Sequence, residues 1–271
     1  MRFIKTPLQK AETAIVQADA VLIGAGTGLS TAAGINYSGP DFEKAFADMI
    51  ARYGFTDLYT SSFYPFQSEE EKWAYWSRHI DYARFAPEAK PLYRHLLELV
   101  QGKEYFVITT NVDGQFAKAG FDPDKVFEVQ GDYGLMQCAT ACHPKRYSNE
   151  SLVKQMVAEQ QDCRIPSALV PRCPVCGGPM EINVRKDQYF VEDDRWHQQA
   201  ERYYAFLEAA LGKKKLVLLE YGVGFNTPTI IRFPFERMAA AYPDVTLIRI
   251  NKDYRECQTP GIRHFIGLES I

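Results

Sequence analysis

A chain of 271 residues, 46% hydrophobic and 13% aromatic, is long enough for one large domain, or for one with a smaller module inserted in it. A net charge of −3 offers no general attraction to nucleic acid or to an anionic membrane surface. No apolar run approaches the ~20 residues that span a bilayer, and the segment from Met1 to Gln17 carries scattered charges and no apolar signal core, so a cytoplasmic chain is expected.

In chain order, Thr6 to Ala18 places Leu8, Ala11, Ala14 and Ile15 at helical spacing and leads into Val21-Leu22-Ile23, an apolar run suited to a buried parallel strand. That run ends at Gly24-Ala25-Gly26, where backbone amides can approach a phosphate, and Leu29 to Ala33 can begin a helix. The spacing is Gly-x-Gly-x-Gly, with Leu29 where the dehydrogenase fingerprint has its third glycine. No carboxylate closes a clear second strand about 20 residues on, so an ordinary hydride-transfer domain fits poorly.

Glu43 to Arg52 and Glu69 to Phe85 read as helices, the second with Trp73, Trp76, Ile80 and Ala83 as a core stripe. Lys90 to Val100 is a further helix, closed by Gly102. Tyr105 to Thr109 is a second strand running into Thr110-Asn111-Val112-Asp113, followed by a helix from Gly114 to Ala119. Lys125 to Val129 is a third strand, ending at Gln130-Gly131. From Leu135 to Asn183 the periodicity breaks, apart from a helix around Leu152 to Ala158.

Order returns with a helix from Arg195 to Leu211, the solvated loop of Lys213, Lys214 and Lys215, and the strand Leu216 to Tyr221 running into Gly222-Val223-Gly224. A helix from Thr229 to Ala240, a strand from Val245 to Ile250 ending at Asn251, and a last strand from Ile262 to Ile266 complete the chain. Strand, polar loop and helix in alternation predict an α/β fold whose ligands gather at the carboxyl ends of a parallel sheet.

Four of the six cysteines form two pairs, Cys138-x3-Cys142 and Cys173-x2-Cys176, the second followed by two glycines. Two such pairs close a tetrahedral Zn2+ site with no place left for water, hence a structural one. His143 beside Cys142 is an alternative ligand, and Cys163 and Cys257 stand apart.

Taken together, Gly24-Ala25-Gly26, Leu29 to Ile35, Pro40-Asp41-Phe42, Thr109 to Asp113 with Ala119-Gly120, the cysteine pairs, Gly222-Val223-Gly224 and Ile250-Asn251 resemble the sirtuin family, in the right order over nearly the whole chain. The resemblance implies a Rossmann-like NAD-binding domain over residues 1–134 and 187–271. It also implies a smaller inserted zinc-binding module over 135–186, whose helical part lies within 43–85. NAD would be consumed as a co-substrate, with nicotinamide leaving.

The sequence departs from that family where Thr27-Gly28 and Asn36 to Gly39 are inserted, and where Glu43 replaces an arginine. It departs again at Val129-Gln130-Gly131, where a deacylating sirtuin has His-Gly. Glutamine can hold a hydroxyl but cannot take its proton, so deacylation is expected to be weak or absent, by roughly 10²- to 10⁴-fold.

This pattern is similar to that of the macrodomain-linked (class M) bacterial sirtuins. That likeness implies protein mono-ADP-ribosylation of a lipoylated glycine-cleavage H-like carrier, with a macrodomain protein removing the ADP-ribose. The catalytic residues so implied are Asn111, Gln130 and Arg185, the last with an equal reading as a surface cation paired to Glu181 or Asp187. The implied cofactor contacts are Gly24, Ala25, Gly26, Asp41, Phe42, Asn111, Asp113, Gln130, Gly222, Val223, Asn226 and Asn251. Asp113 also reads as a helix cap, and Phe42 as an ordinary core residue. A weak lysine deacylase and a non-catalytic NAD or ADP-ribose sensor are the alternatives.

Overall fold

A computed structural model describes residues 5–257 and 259–270. Its centre is a six-stranded parallel sheet of β1 (Ala20–Ala25), β2 (Glu104–Thr109), β3 (Val126–Glu128), β7 (Leu216–Tyr221), β8 (Val245–Ile250) and β9 (His264–Leu268), in the order β3-β2-β1-β7-β8-β9. β4 (Gly131–Cys138), β5 (Arg146–Ser148) and β6 (Met180–Val184) form a separate antiparallel sheet in the order β5-β4-β6.

The central strands are apolar on both faces, so each face is covered by helices. On one face Ala11 and Ile15 of the helix Pro7–Gln17, and Tyr93, Leu96 and Val100 of the helix Pro91–Val100, pack on Val21, Ile23, Val107 and Leu219. On the other, Tyr203 and Phe206 of the helix Asp194–Ala210, with Phe235 and Ala239 of the helix Arg232–Ala241, cover Leu22, Phe106 and Leu218. The first helix is set by a reciprocal cap: Thr6 Oγ1 accepts from the Gln9 amide at 3.2 Å, and Gln9 Oε1 accepts from the Thr6 amide at 3.0 Å.

A second core is built from two distant stretches, Phe42 to Ala83 and Tyr133 to Ile182, so the helices Glu69–Ile80 and Glu150–Glu159 share one interior with the small sheet. Trp73 is 1% exposed there, and Ile80 and Ala83 are fully enclosed. The expected helix over 43–52 is two helices, Pro40–Ala45 and Ala47–Tyr53, broken at Phe46, whose ring turns inward and stacks on Phe42 at 5.3 Å. The expected 69–85 helix finishes in a π-helical turn over Asp81–Phe85.

Two other boundaries move. The helix after Gly224 begins at Arg232, three residues later than Thr229, because residues 228–231 are turns. The last strand lies two residues on from 262–266, where Thr246 to Ile250 pair with His264 to Leu268. The small sheet itself starts at Gly131, so residue 135 falls inside β4. Among the described residues no helix is long and apolar enough to cross a membrane.

Candidate active site

Strand register places the site. Ala25 pairs with Thr109 on one side and Tyr221 on the other, Thr109 pairs with Glu128, and Tyr221 with Ile250. These five residues form one row across the carboxyl edge of the sheet. Immediately beyond the row lie Gly26, Asn111, Gln130, Gly222-Val223 and Asn251, the positions the sequence marked. The strand order reverses between β1 and β7, which opens a crevice there.

Glycines make that crevice. The Gly26 and Gly28 amides donate to the carbonyls of Tyr221 and Gly222 at 3.0 and 2.9 Å. A Cβ on Gly26 would meet the Gly222 carbonyl at 2.7 Å, and one on Gly222, whose φ is +65°, would meet the Leu29 nitrogen at 2.2 Å. Gly24 serves packing instead: a Cβ there would strike Ile231 and Phe235 at 2.5–2.7 Å. Val223 is buried, and its carbonyl accepts from Asn251 Nδ2 at 3.0 Å, so the two turns on the β7–β8 side are tied together. Asn226 stands exposed in the loop after Gly224.

Asn111 is 5% exposed and its amide is oriented by two acceptors. Nδ2 donates to the Gly26 carbonyl at 3.0 Å and to the Tyr93 hydroxyl at 3.3 Å. The Tyr93 hydroxyl then donates to Ser30 Oγ (3.0 Å), and Ser30 donates to Asp113 Oδ2 at 2.5 Å. Asp113 Oδ1 accepts from the Gln115 amide at 3.0 Å, closing a turn just ahead of the helix Gln115–Lys118, whose N-cap is Gly114, so Asp113 stands one residue before the cap position and has its place in this chain. Burial pushes the Asp113 carboxyl up, and the Ser30 and Gln115 hydrogen bonds pull it back.

With both Nδ2 hydrogens spoken for, Asn111 Oδ1 faces the other way, buried and without a protein partner. Gln130 Oε1 is buried and unpartnered too. Two orphaned acceptors on neighbouring strand ends suit a ligand that brings hydroxyl donors, as a ribose does.

Arg185 follows β6, and its amide donates to the Gln130 carbonyl at 3.0 Å, which puts both residues at the junction of the two sheets. Gly131 allows this approach: with φ +96°, a Cβ on it would lie 2.0 Å from the Asn183 carbonyl. The Arg185 guanidinium lies over Phe190 at 4.3 Å from the ring centre and pairs with Glu192. The expected partners are engaged otherwise or absent from it: Glu181 takes Lys186 at 2.7 Å and Lys72 at 3.3 Å.

Phe42, 1% exposed, is a core side chain of the second interior, the ordinary role the sequence also allowed, and Asp41 is exposed beside it. Ser30, Tyr93 and Glu192 were not singled out from the sequence as site residues. Tyr93 lies on a helix whose apolar spacing signals only packing, and its hydroxyl reaches Ser30 across 63 positions.

Burial pushes the Glu128 carboxyl up to about 8; Asp132 adds to the rise, while Arg84 and Arg195 oppose it. No local pattern around Glu128 signals that environment.

The four paired cysteines bring their sulfurs within 4.8 Å of one another. Cys138–Cys176 and Cys142–Cys173 Sγ distances are both 3.7 Å. Zn–S bonds of about 2.3 Å in a tetrahedron require edges of about 3.8 Å, so the set fits Zn2+. His143 stays outside it, with Nδ1 3.0 Å from Cys142 Sγ and Nε2 2.8 Å from the Tyr147 hydroxyl. Cys163 is buried elsewhere, 3.6 Å from an Asp48 oxygen.

Known proteins share this architecture. A solved Sir2 homologue mutant in complex with ADP-ribose superposes with a TM-score of 0.57 at 16% identity, over 95% of this chain and 90% of that one. A Sir2 homologue–NAD complex gives 0.56 at 18%, over 94% and 86%. Among curated relatives, the "Protein ADP-ribosyltransferase" of Staphylococcus aureus is 42% identical over 89% of this chain and 76% of its own length. The "Probable bifunctional ADP-ribose hydrolase/ADP-ribosyltransferase" of Fusarium oxysporum f. sp. cubense is 32% identical over 90% of this chain, which spans only 42% of that relative. The Sir2 family model itself matches residues 26–210, from the first glycine turn to the end of the helix behind β2 and β3, and the chain therefore belongs to the Sir2 family.

Proposed function

We propose that this chain is an NAD-dependent protein mono-ADP-ribosyltransferase of the macrodomain-linked kind. Its acceptor is a glycine-cleavage H-like carrier protein bearing a lipoyl group. The observation that carries the reading is the pair of buried, unpartnered amide oxygens, Asn111 Oδ1 and Gln130 Oε1, at neighbouring strand ends. The names of the Staphylococcus and Fusarium relatives support the same activity, and the second pairs it with an ADP-ribose hydrolase.

NAD supplies the ADP-ribosyl group and gives up nicotinamide. The residues of the chain bind and orient. Asn111 and Gln130 accept from ribose hydroxyls, and the closely packed turns at Gly26 and Gly222 line the crevice that takes the dinucleotide. The Asp113–Ser30–Tyr93 chain fixes which face Asn111 presents. Gln130 cannot remove a proton, so an acceptor that arrives as a carboxylate, already deprotonated, suits this site, and Arg185 beside Gln130 supplies the cation to receive it.

The test is nicotinamide release measured with NAD, with and without lipoylated and unlipoylated carrier. Release should match, one for one, a carrier mass gain of one ADP-ribose, and should depend on the lipoyl group. Tight NAD binding without release would leave a sensor. Formation of O-acyl-ADP-ribose from an acylated peptide, without carrier labelling, would leave a weak deacylase.

A further inference from the structure

On the side of the sheet away from Gln130, two buried arginines stand where β7 and β8 finish. Glu220 and Arg249 face each other in register and are fully enclosed, joined by Nε–Oε1 and Nη2–Oε2 bonds of 2.6 and 2.9 Å. Glu236, on the helix Arg232–Ala241, takes a further bond from Arg249 Nη2 at 2.8 Å. Arg232 completes the cluster, 4% exposed, at the first position of that helix, whose first turn carries no acid. A cation there opposes the positive end of the helix dipole, and buried ion pairs gain little stability over apolar packing. The cluster therefore calls for a reason other than stability.

The carbonyls around it supply one. Arg232 donates from Nη1 to the Val223 carbonyl at 3.4 Å, and from Nη2 to those of Tyr254 and Glu256 at 3.1 and 3.4 Å. Arg249 Nη1 adds a bond to the Glu256 carbonyl at 2.9 Å. Residues 252–257 belong to no helix or strand, so these side chains fasten that loop to the turn after β7. The Arg232 guanidinium also lies 4.4 Å from the ring centre of the half-exposed Phe225, which Tyr254 meets edge-on at 5.0 Å. Phe225, Arg232 and Tyr254, with Lys252, line an open pocket of about 860 Å³.

We propose that Arg232 is a positioning residue for NAD: it holds the glycine turn after β7 and the loop after β8 together as one surface for the half of the dinucleotide remote from nicotinamide. The inference rests on the NAD-dependent reading above. Lysine cannot replace it, because a point charge neither forks to three carbonyls nor lies flat beneath Phe225.

Arg232→Lys keeps the buried charge and tests the fork. In steady-state transfer to the lipoylated carrier, the variant should raise the KM for NAD about five- to twentyfold and leave kcat and the carrier KM unchanged. Calorimetry with ADP-ribose needs no turnover. Its Kd should rise by the same factor, with one site per chain retained. An unchanged Kd, a fall in the number of sites at unchanged Kd, or a fall in kcat at unchanged KM overturns the proposal, the last two because they mark a merely structural arginine.

Phe225→Ala provides a second variant at a half-exposed ring, where folding is not at stake. It should weaken ADP-ribose in the same direction, and unaltered affinity there also overturns the proposal. Weakened ADP-ribose binding in both variants, with no carrier labelled by the unaltered protein, would overturn the transferase reading and leave the role of Arg232 standing.

Discussion

Arg84 and Asp132 form a two-pronged ion pair, Nε to Oδ1 at 2.7 Å and Nη2 to Oδ2 at 3.1 Å, wedged between two glycines. A Cβ on Gly114 would lie 2.2 Å from Arg84 Cζ, and one on Gly134 would lie 3.4 Å from its Nε. Arg84 sits in the π-helical turn that ends the long helix of the second core. Asp132 is two residues past Gln130, and Gly114 directly follows Asp113. The pair thus fixes the distance between the Asn111–Asp113 loop and the Gln130 turn.

Both side chains are largely buried, at 17% and 12% exposure, so removing one leaves the other uncompensated. Arg84→Met should cost about 3–5 kcal/mol of stability. Adding Asp132→Asn should return part of it, because the stranded charge is then gone. Urea midpoints of the two single variants and the double variant give the coupling directly. Additive losses would mean that the two side chains act independently.

The Tyr93 hydroxyl helps decide how Asn111 faces. Tyr93→Phe removes one of two acceptors for Nδ2 and leaves the Gly26 carbonyl. A neutral hydrogen bond is worth about 0.5–1.5 kcal/mol net, so nicotinamide release at saturating NAD should fall roughly two- to tenfold. The melting temperature should move little, since the ring stays packed on Phe116 at 4.9 Å. A large loss of stability with unchanged kcat would reduce Tyr93 to a packing residue.

The central sheet was legible because its strands are continuous apolar runs bounded by turns. Leu216–Tyr221 and Val245–Ile250 have the ends their sequence implies. Asn111 and Gln130 were legible for the same reason: they stand one or two residues past such runs. The small sheet was not. β4 shifts register against β6 between Gly131 and Met136, which breaks the alternation that marks a strand. The Asn111–Tyr93–Ser30–Asp113 chain and the Arg84–Asp132 pair join residues 18 to 83 positions apart, and no local period encodes such contacts. Arg185 was half legible. Its closeness to Gln130 follows from β6 pairing with β4, while its partner, Glu192, became apparent only once the 187–193 segment was seen folded back over it.

Glu128 makes a pH-dependent contribution with a definite sign. The carboxyl titrates near 4.3 in an unfolded chain and at about 8 in the folded one, raised first by burial and then by Asp132. Between these values the unfolded chain has released a proton that the folded chain retains, so this group lowers stability as pH rises through that window. Glu128→Gln removes the effect. The variant should melt close to the unaltered protein at pH 4 and progressively above it towards pH 8, with no further divergence beyond pH 9. A melting difference that stays constant from pH 4 to 9 would show that the Glu128 carboxyl titrates normally.

Zinc should hold one part of the molecule and not the other. Cys138 ends β4, Cys142 lies in the turn after it, and Cys173 and Cys176 precede β6, so the metal clamps the open end of the small sheet. Structural zinc contributes about 10–16 kcal/mol in isolated zinc-finger peptides, as much as the whole stability of an ordinary domain. The second core, which contains Cys138 and Cys173 at 1–2% exposure, should therefore open when zinc is removed. The two cores flanking the parallel sheet contain none of the four ligands. Hydrogen exchange after treatment with a strong chelator should show fast amides in 131–138, 180–184 and 69–80, with slow amides retained in 216–221 and 245–250. Emission from Trp73, 1% exposed in the intact protein, should shift to the red. Gln130 and Arg185 adjoin β4 and β6, so transfer should fall with the same dose dependence as the exchange. Slow exchange persisting in 131–138 after the metal is gone would show that the small sheet stands on its apolar core alone.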